Sequence, residues 1–501
     1  MSCLADILIP FLVLEVKKTV TVSSLNPPNK SFCKFVNEFK RNFIMKNLTD
    51  THAHLFYPDY EEELDQVIDR AKEAGVESIL VPATDLASSA QVVKLTKKYD
   101  IIYGSVGVHP LDSKEWQKEW IPLLEQTVLT NREKIVAIGE IGLDYYYDYS
   151  PKQKQIEAFR DQLELAIKLD LPVIVHNRDS DDDMMEIIRE FSLKGLRAQF
   201  HCFNAPIEHA LEYVRMGHMI SFTGNITFKK AEDLRKIAAK VHPEHLLLET
   251  DSPFMTPVPF RGKRNEPAHV LYVAQELAKL HHLTVDDITR ITAYNAWRFF
   301  KIGKAPETSI VYQIGDALYV NVTNRCNADC VFCGRKDSPF LAGYNLGMDK
   351  NNEPGIQQYI DAIGAPTKYS EIVFCGYGEP TIRWDLVKVV AGFVKENGGK
   401  TRINTNGHGN VINHRDITPE MKGLIDTVSV SLNATDAQKY AELMRVDESM
   451  YAEMLDFTKK VKSYVPNVVL SVVGIPDVDI EKARSIAVHE TGVNFRERTY
   501  F

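Results

Sequence analysis

The stretch Asn47-Leu48-Thr49-Asp50-Thr51-His52-Ala53-His54-Leu55 joins a short apolar strand pattern to three side chains of the kind that bind divalent metals. Seven similar apolar runs follow, separated by stretches with helical spacing such as Glu62–Ala74 and Lys152–Leu169. These runs are Glu77–Ala83, Ile101–Val108, Ile135–Leu143, Leu171–His176, Leu196–Cys202, Met219–Thr223 and Leu246–Thr250. Eight strand–helix units in about 250 residues predict an α/β fold, a TIM (β/α)8 barrel.

Polar residues cluster at the carboxyl ends of the predicted strands. They are Asp50, His52, His54, Glu140, Asp144, His176, His201 and Asp251. In a barrel, these strand ends meet on one face, where barrel active sites lie. The sequence therefore predicts one surface rich in metal-binding side chains.

Six of these residues are enough for a centre of two metal ions. His52 and His54, two residues apart on a strand, would face the same way and bind one ion together with Asp251. His176 and His201 would complete a second ion, while the two oxygens of Glu140 reach both. Two ions about 3.5–4 Å apart can activate water and stabilise the charge that develops on a scissile phosphate. Glu140 and Asp251 are the predicted catalytic residues, and Asp251 could accept the proton of the attacking water.

Six motifs in this region resemble those of the TatD family of metal-dependent deoxyribonucleases. The motifs are Asp50-Thr51-His52-Ala53-His54, Gly107-Val108-His109-Pro110, Gly139-Glu140-Ile141-Gly142-Leu143-Asp144, His176-Asn177-Arg178, His201-Cys202-Phe203 and Glu249-Thr250-Asp251-Ser252-Pro253. The resemblance covers residues 46–302. It implies hydrolysis of DNA phosphodiester bonds, often from an end, supported by magnesium, manganese or zinc. The family's ligands correspond here to the six residues named above.

Three residues near the predicted face are candidates for substrate binding. Arg178 follows His176 by two residues, and His109 follows the third strand. Arg261 opens the stretch Arg261-Gly262-Lys263-Arg264-Asn265, which resembles a segment of the TatD family. A solvated loop is the alternative for that stretch, and a strand cap is the alternative for His109.

Near Gly303–Pro306 the pattern restarts, and we expect a linker at 303–308 and a second domain at 309–501. Its helical segments include Trp384–Asn397. Its predicted strands are Ala317–Thr323, Glu371–Cys375, Thr401–Asn404, Thr427–Leu432, Val468–Val473 and Val493–Phe501. Six such units in about 190 residues predict a partial (β/α)6 barrel, open at one side.

Three of the seven cysteines are crowded into the loop after the first of these strands. Cys326, Cys330 and Cys333 have the spacing C-x3-C-x2-C. Three thiolates can hold three irons of a four-iron cluster and leave the fourth iron open. A structural zinc site needs four protein ligands, and no further cysteine or histidine lies at close spacing. The loop therefore predicts a [4Fe-4S] cluster.

The same loop, with its surroundings, resembles the radical S-adenosylmethionine (radical SAM) superfamily over roughly residues 309–501. Gly376-Tyr377-Gly378-Glu379-Pro380 is similar to the segment that binds the methionine amino group. The resemblance assigns Gly376 and Gly378 to close approach of the backbone and Glu379 to charge. Further positions that match cofactor contacts are Phe332, beside adenine, and Ser431 and Asn433, beside ribose. Asn404 and Asn406 end the third strand on the same face, and a turn is the alternative for them.

The resemblance implies reductive cleavage of S-adenosylmethionine and hydrogen-atom abstraction by a 5′-deoxyadenosyl radical. An electron donor such as flavodoxin or ferredoxin would be a partner, and DNA would be the substrate of the first domain. The substrate of the radical domain is not readable from the sequence, and neither is the oligomeric state.

Composition limits the alternatives. With 501 residues, 44% hydrophobic and 25% charged, the chain is expected to form two soluble domains. A net charge of −9 without a basic tract argues against a protein that coats nucleic acid. Free, clustered cysteines favour a reducing compartment, the cytoplasm. Residues 1–45 read as an irregular extension, with Met45 the expected natural start and a weak membrane anchor the alternative.

Two other functions fit the first domain. A two-metal barrel also serves an amidohydrolase or esterase that acts on small molecules. Alternatively, the first domain could be a nucleic-acid-binding module that delivers substrate to the radical site.

Overall fold

The structure, a computed structural model, describes residues 47–474 and 478–498. The predictions for the extension at 1–45 and for the last three residues lie outside these ranges. Within them, no helix has both the length and the apolar character needed to cross a bilayer.

The first part of the chain is a barrel of eight parallel strands in sequential order. The strands are β1 (Leu48–Asp50), β2 (Val76–Pro82), β3 (Ile102–Val106), β4 (Ile135–Asp144), β5 (Val173–Arg178), β6 (Ala198–Phe200), β7 (Met219–Phe222) and β8 (Leu246–Leu248). The N–H of Thr51 donates to the carbonyl of Leu248 (2.9 Å), which joins β8 back to β1. The predicted (β/α)8 barrel is confirmed.

Nine helices of the described chain surround or follow these strands. They are α1 (Leu64–Glu73), α2 (Leu86–Lys98), α3 (Trp120–Thr130), α4 (Lys152–Lys168), α5 (Asp181–Ser192), α6 (Ile207–Arg215), α7 (Glu232–Lys240), α8 (Val270–His281) and α9 (Val285–Phe300). All ten residues of β4 are buried, as expected for a parallel strand covered on both faces. The helices turn their apolar sides to this core, for example Val67 and Ile68 of α1.

A register shift in β4 matters for the site. Ile138 pairs with Val173 and Ile141 with Val175, so β4 holds one extra residue at Gly139–Glu140. Such a bulge turns a side chain out of the regular alternation. It directs Glu140 towards the carboxyl ends of the neighbouring strands.

The second sheet has seven strands. They are β9 (Val311–Ile314), β10 (Ala317–Asn321), β13 (Ile372–Cys375), β14 (Thr401–Thr405), β15 (Thr427–Ser431), β16 (Asn467–Val473) and β17 (Asn494–Arg498). Their order in the sheet is β17-β16-β15-β14-β13-β10-β9. Six are parallel and form the partial barrel, which confirms the predicted fold. The helices beside them are α10 (Ile356–Ile363), α11 (Trp384–Glu396), α12 (Gly409–Ile412), α13 (Ala437–Met444), α14 (Ser449–Val461) and α15 (Ile480–Ser485).

The sequence analysis missed three strands. β9 pairs antiparallel with β10 across the turn at Gly315-Asp316, a turn signal that was available in the sequence. The two-residue strands β11 (Phe340–Leu341) and β12 (Tyr344–Asn345) form a small hairpin. The predicted first strand was also too long, because the chain leaves β1 after Asp50 and Ala53 bridges to Ser252 beyond β8.

The hairpin β11–β12 packs against α9 of the first barrel. The Phe340 ring stacks on Tyr294 at 4.5 Å between centroids and lies 5.6 Å from Trp297. Arg290 donates from Nε to the carbonyl of Ala342 (2.9 Å) and lies 3.8 Å above the Tyr344 ring. The barrel's last helix thus supports a part of the second sheet's domain.

We expect His218 to make the barrel sensitive to acid. Its side chain is buried, with Nδ1 3.2 Å from the N–H of Ala198 and Nε2 2.8 Å from Ser192 Oγ, and burial lowers its pKa to about 4. The His218 ring is therefore protonated below pH 6.5 in the unfolded chain, but only below about pH 4 in the folded chain. The stability that the neutral His218 contributes is fully present above pH 6.5 and is lost as the pH falls towards 4.

Urea unfolding of wild type and His218→Gln tests this at about pH 7 and about pH 5. The wild type should lose up to about 2 kcal/mol more than the variant between these two conditions. Equal losses would show that His218 does not contribute to the acid sensitivity.

Candidate metal and cluster sites

Residues just beyond β1 and β8 converge on one point. The Nε2 atoms of His52 and His54 are 3.1 Å apart. Asp251 Oδ1 lies 3.7 Å from the first and 3.6 Å from the second. All three side chains are buried, in a place where an uncompensated charge would be costly. Two ring nitrogens and a carboxylate oxygen facing one point form a donor set for a divalent cation.

Glu140 connects this group to a second one. Its Oε2 atom is 3.3 Å from His52 Nε2 and 3.5 Å from His54 Nε2. Its Oε1 atom is 3.0 Å from His176 Nδ1 and 2.8 Å from His201 Nε2. The two oxygens of one carboxylate are therefore divided between two pairs of histidines.

These separations fit ligands that share an ion. Donor atoms about 2.1 Å from a metal lie about 3.0–3.4 Å from one another in octahedral or tetrahedral geometry. The structure brings together all six predicted ligands at or near such distances. His109 also joins, with Nε2 3.4 Å from Glu140 Oε1.

The charges of this cluster are strongly coupled. Burial, together with the charge of the nearby His201, lowers the pKa of His52 to about 3. Burial alone would lower the pKa of His201 too, but Glu140 raises it to about 9. Conversely, the neighbouring histidines hold the pKa of Glu140 well below its usual value despite its burial. A proton and a divalent cation therefore compete for the same donors, and metal binding should strengthen as the pH rises.

Three buried carboxylates support the ligands. The sequence analysis placed Asp50 and Asp144 on the metal-binding face without a specific task, and it gave Glu249 no role. Asp144 Oδ2 is 3.0 Å from His176 Nε2, which turns the other ring nitrogen towards Glu140. Asp50 accepts from the hydroxyl (2.6 Å) and N–H (2.9 Å) of Thr250 and so joins β1 to the segment that carries Asp251. Glu249 accepts from Ser221 (2.8 Å) and Gln199 (2.9 Å). The available signal was their position inside the metal motifs.

The predicted substrate residues occupy different positions. Nδ1 of His109 accepts from the N–H of Leu111 (3.2 Å), so a neutral ring carries its proton on Nε2, which faces Glu140. Arg178 is exposed at the end of β5, with its guanidinium 3.8 Å above the Tyr146 ring. Arg261 is exposed in the loop after β8, 4.3 Å above the Phe228 ring.

Cys326, Cys330 and Cys333 lie half-buried in the loop after β10, and all three are free thiols. Burial raises the pKa of Cys330 to about 12, and the proximity of Cys326 and Cys333 adds to the effect. In the described chain, these thiols are not among the groups of three metal-binding atoms that converge within 4.8 Å. Sulfurs bound to one zinc ion would lie about 3.7 Å apart. Three thiols in one loop are a donor set for three irons of a four-iron cluster.

The segment after β13 fits closely against the cysteine loop. Gly376 has φ of 130°, and a Cβ there would lie 2.5 Å from Asn321 Oδ1. A Cβ on Gly378 would lie 2.2 Å from the carbonyl oxygen of Arg325. The close approach that requires these two glycines is to the end of β10 and the chain that follows it, whereas the sequence analysis expected an approach to the ligand.

Glu379 has an environment different from the expected one. Its carboxylate is buried, and Oε1 accepts from the hydroxyls of Thr381 (2.6 Å) and Thr405 (2.7 Å). Oε2 accepts from the N–H of Asn406 (2.7 Å). The side chain therefore joins the loops after β13 and β14 instead of presenting a free charge.

The other predicted cofactor positions surround the cysteine loop and the end of β15. Phe332 is half-buried beside Cys333. Arg498, which sequence reasoning missed, reaches from β17 to Ser431 Oγ (3.3 Å) and Asn433 Oδ1 (3.4 Å). Asn406 donates to Asn327 Oδ1 (2.8 Å) inside the cysteine loop, whereas the buried Asn404 Oδ1 has no partner.

Comparison with known proteins identifies both parts. A model of the TatD related DNase family matches residues 49–301, half of the chain. The chain belongs to the TatD family. A model of the radical SAM superfamily matches residues 320–487, so a radical SAM domain follows the TatD barrel.

The relatives match the TatD barrel. The uncharacterized metal-dependent hydrolase YabD of Bacillus subtilis is 42% identical over 255 residues, 51% of this chain and 99% of its own. The 3′-5′ ssDNA/RNA exonuclease TatD of Erwinia tasmaniensis is 32% identical over 259 residues, 50% of this chain and 99% of its own. The crystal structure of the TatD homologue YjjV from Escherichia coli is 31% identical and covers 52% of this chain and all of its own, with a TM-score of 0.49. The first part of this TatD protein is thus a metal-dependent hydrolase domain.

Proposed function

We propose that the TatD barrel hydrolyses DNA phosphodiester bonds with two divalent ions, magnesium, manganese or zinc. His52, His54 and Asp251 would hold one ion, His176 and His201 the other, and Glu140 both. The observation that carries this proposal is the division of the two Glu140 oxygens between two pairs of histidines. When bound, the ions would polarise water and offset the charge that develops on the phosphate.

The chain's own groups have separate tasks in this proposal. Asp251 would accept the proton of the attacking water. Burial would raise the pKa of Asp251, but the neighbouring histidines hold it below its usual value, so the carboxylate is ionised. Nε2 of His109 lies 3.4 Å from Glu140 Oε1. Its N–H would donate to an oxygen of a phosphate bound at the metal centre. Arg178 and Arg261 would hold neighbouring phosphates from the rim.

DNA is favoured as substrate over small amides or esters by two observations. Exposed arginines stand at the rim of the site, where phosphates next to the scissile one would lie. One relative also carries the name of an exonuclease for single-stranded DNA and RNA. We assign this activity to residues 46–302, with 303–308 as linker.

The experiment is hydrolysis of single-stranded DNA and of a panel of small amides and esters, by protein loaded with each metal. We expect DNA cleavage that chelation abolishes and that added metal restores. Turnover of amides without cleavage of DNA would favour the amidohydrolase function. Binding of DNA without any hydrolysis would favour the delivery module.

We further propose that residues 309–501 hold a [4Fe-4S] cluster on Cys326, Cys330 and Cys333 and cleave S-adenosylmethionine. The cluster would supply one electron to the sulfonium, and the resulting radical would take a hydrogen atom from a substrate. Backbone groups of Gly376 and Gly378 would bind the methionine end, Phe332 the adenine, and Ser431 and Asn433 the ribose. Glu379 would fix the loops on which these groups stand.

Purification without oxygen tests this second activity. The protein should be brown, should contain about four irons, and should release 5′-deoxyadenosine when it is reduced. Flavodoxin or ferredoxin should replace the chemical reductant, as expected for a cytoplasmic enzyme. Colourless protein, or zinc in place of iron, would contradict the cluster.

A further inference from the structure

The loop after β4 is unusually rich in exposed aromatic rings. Residues 145–149 read Tyr-Tyr-Tyr-Asp-Tyr. Tyr146 is 57% exposed, Tyr147 38% and Tyr149 64%. Six of the fourteen large hydrophobic side chains exposed in the described chain lie in the loops after β4 and β8. An exposed apolar concentration of this kind marks a binding surface.

This loop is fixed directly to the metal-binding group. Asp144 accepts at Oδ1 from the N–H groups of Tyr146 (3.0 Å) and Tyr147 (3.1 Å). Its other oxygen, Oδ2, is 3.0 Å from His176 Nε2. The tyrosines thus stand beside the site at a position set by a carboxylate that also orients a ligand.

The rings are arranged for stacking. Tyr147 and Tyr149 are parallel within 10°, with centroids 5.3 Å apart. The Arg178 guanidinium lies 3.8 Å above Tyr146 and 5.0 Å from the centre of Tyr147. In the described part of the chain, Arg178 forms no ion pair with a carboxylate. Its charge therefore remains available to an anion beside the rings.

A second aromatic group stands at the other end of the ligand cluster. Tyr57 stacks on the metal-binding ring of His54, with centroids 5.1 Å apart and 9° between the planes. Phe254, 51% exposed in the loop after β8, lies 5.8 Å from Tyr57. The metal-binding residues are therefore flanked by aromatic rings on the His54 side and on the His176 side.

We propose that Tyr147 and Tyr149 form a stacking platform for the bases of an unpaired nucleic-acid strand, with Arg178 on the phosphate between the platform and the metal centre. This inference rests on the proposed nuclease function and adds the residues that select the substrate. Every base has a flat face that an aromatic ring can stack on, so the platform requires no particular sequence. In a duplex these faces are covered by neighbouring bases, so the platform selects single strands.

The test compares two double variants of the full chain, Tyr147→Leu with Tyr149→Leu and Tyr147→Phe with Tyr149→Phe. Binding of a fluorescent oligothymidylate of about twelve nucleotides is followed by anisotropy. The leucine variant should bind about tenfold more weakly, because side-chain bulk remains but ring stacking is lost. The phenylalanine variant should stay within about twofold of wild type. Leu193→Ala, which changes a side chain that is 91% exposed directly after the last residue of α5, is the control.

Hydrolysis of bis(p-nitrophenyl) phosphate, a diester without bases, separates stacking from damage to the centre. Its turnover at saturating substrate, where stacking of a nitrophenyl ring no longer affects the rate, should be the same in wild type and both double variants. Parallel loss of this activity would overturn the platform, because the loop would then act only through Asp144 and His176. Unchanged oligothymidylate binding by the leucine variant would also overturn it. If the oligomeric state changes while binding does not, the rings form an interface between copies of the chain and not a platform.

Failure of the proposed function gives a different result. A wild-type protein that hydrolyses the small diester but neither binds nor cuts the oligonucleotide contradicts DNA as substrate, and with it the platform. If wild type and the leucine variant cut the oligonucleotide at the same rate, the platform is contradicted but DNA as substrate is not.

Discussion

Glu140→Gln is expected to lower the rate of DNA hydrolysis by about 10³-fold or more. The substitution keeps the volume of the side chain but removes its charge and turns one of its two oxygens into an NH2 group, which cannot bind a metal. Metal ions contribute several kcal/mol to a charged transition state, and each 1.4 kcal/mol or so is tenfold in rate. Because Glu140 lies between both histidine pairs, the variant should also bind fewer than two ions.

The measurement is the initial rate on single-stranded DNA, together with metal content by elemental analysis. Glu266→Gln is a matched control in the same barrel, because its half-buried carboxylate pairs with Arg70 (2.6 Å) outside the metal-binding group. That variant should keep its metals and its rate. If Glu140→Gln still cleaves DNA at a similar rate, the two-metal mechanism is wrong.

Cys330→Ala is expected to abolish cleavage of S-adenosylmethionine and to leave DNA hydrolysis intact. The loop needs all three thiolates to hold the cluster, and the substitution leaves only two. The half-buried Cys330 thiol lies 3.4 Å from Met444 Sδ, and a thioether is a weaker iron ligand than the thiolate that the substitution removes. Iron content and 5′-deoxyadenosine formation, measured without oxygen, should both fall to background.

Cys375→Ala is the control for this variant. Cys375 is a buried thiol of the same domain, 3.2 Å from the Tyr312 hydroxyl, and lies outside the cysteine loop. Its replacement should leave iron content unchanged. Loss of both activities in Cys330→Ala would show that the two domains depend on each other.

The barrel and its face of ligands were predictable because both depend on local patterns. Each strand is a short apolar run, and a parallel barrel places every strand end on one face whatever the loops do. His52, Glu140 and His201 come together for this reason, although they are far apart in sequence. The two families were confirmed for the same reason, since their motifs lie at these strand ends.

The residues that support the sites were less predictable. Glu379 accepts bonds from a loop after the next strand, and Arg498 reaches across from the last strand. Such partners depend on register and on side-chain direction, which a single sequence does not state. β9 was missed although Gly315-Asp316 signals a turn, because a four-residue edge strand has almost no periodicity.

The packing of Phe340 on Tyr294 and Trp297 has a practical consequence for anyone who would divide the protein. Cutting the chain at 303–308 would leave two fragments, each with an aromatic surface newly exposed to solvent. The barrel fragment would also lose the carbonyl that Arg290 binds. Low solubility of either fragment would then reflect the cut itself, and the two chemistries are best assayed on the intact polypeptide.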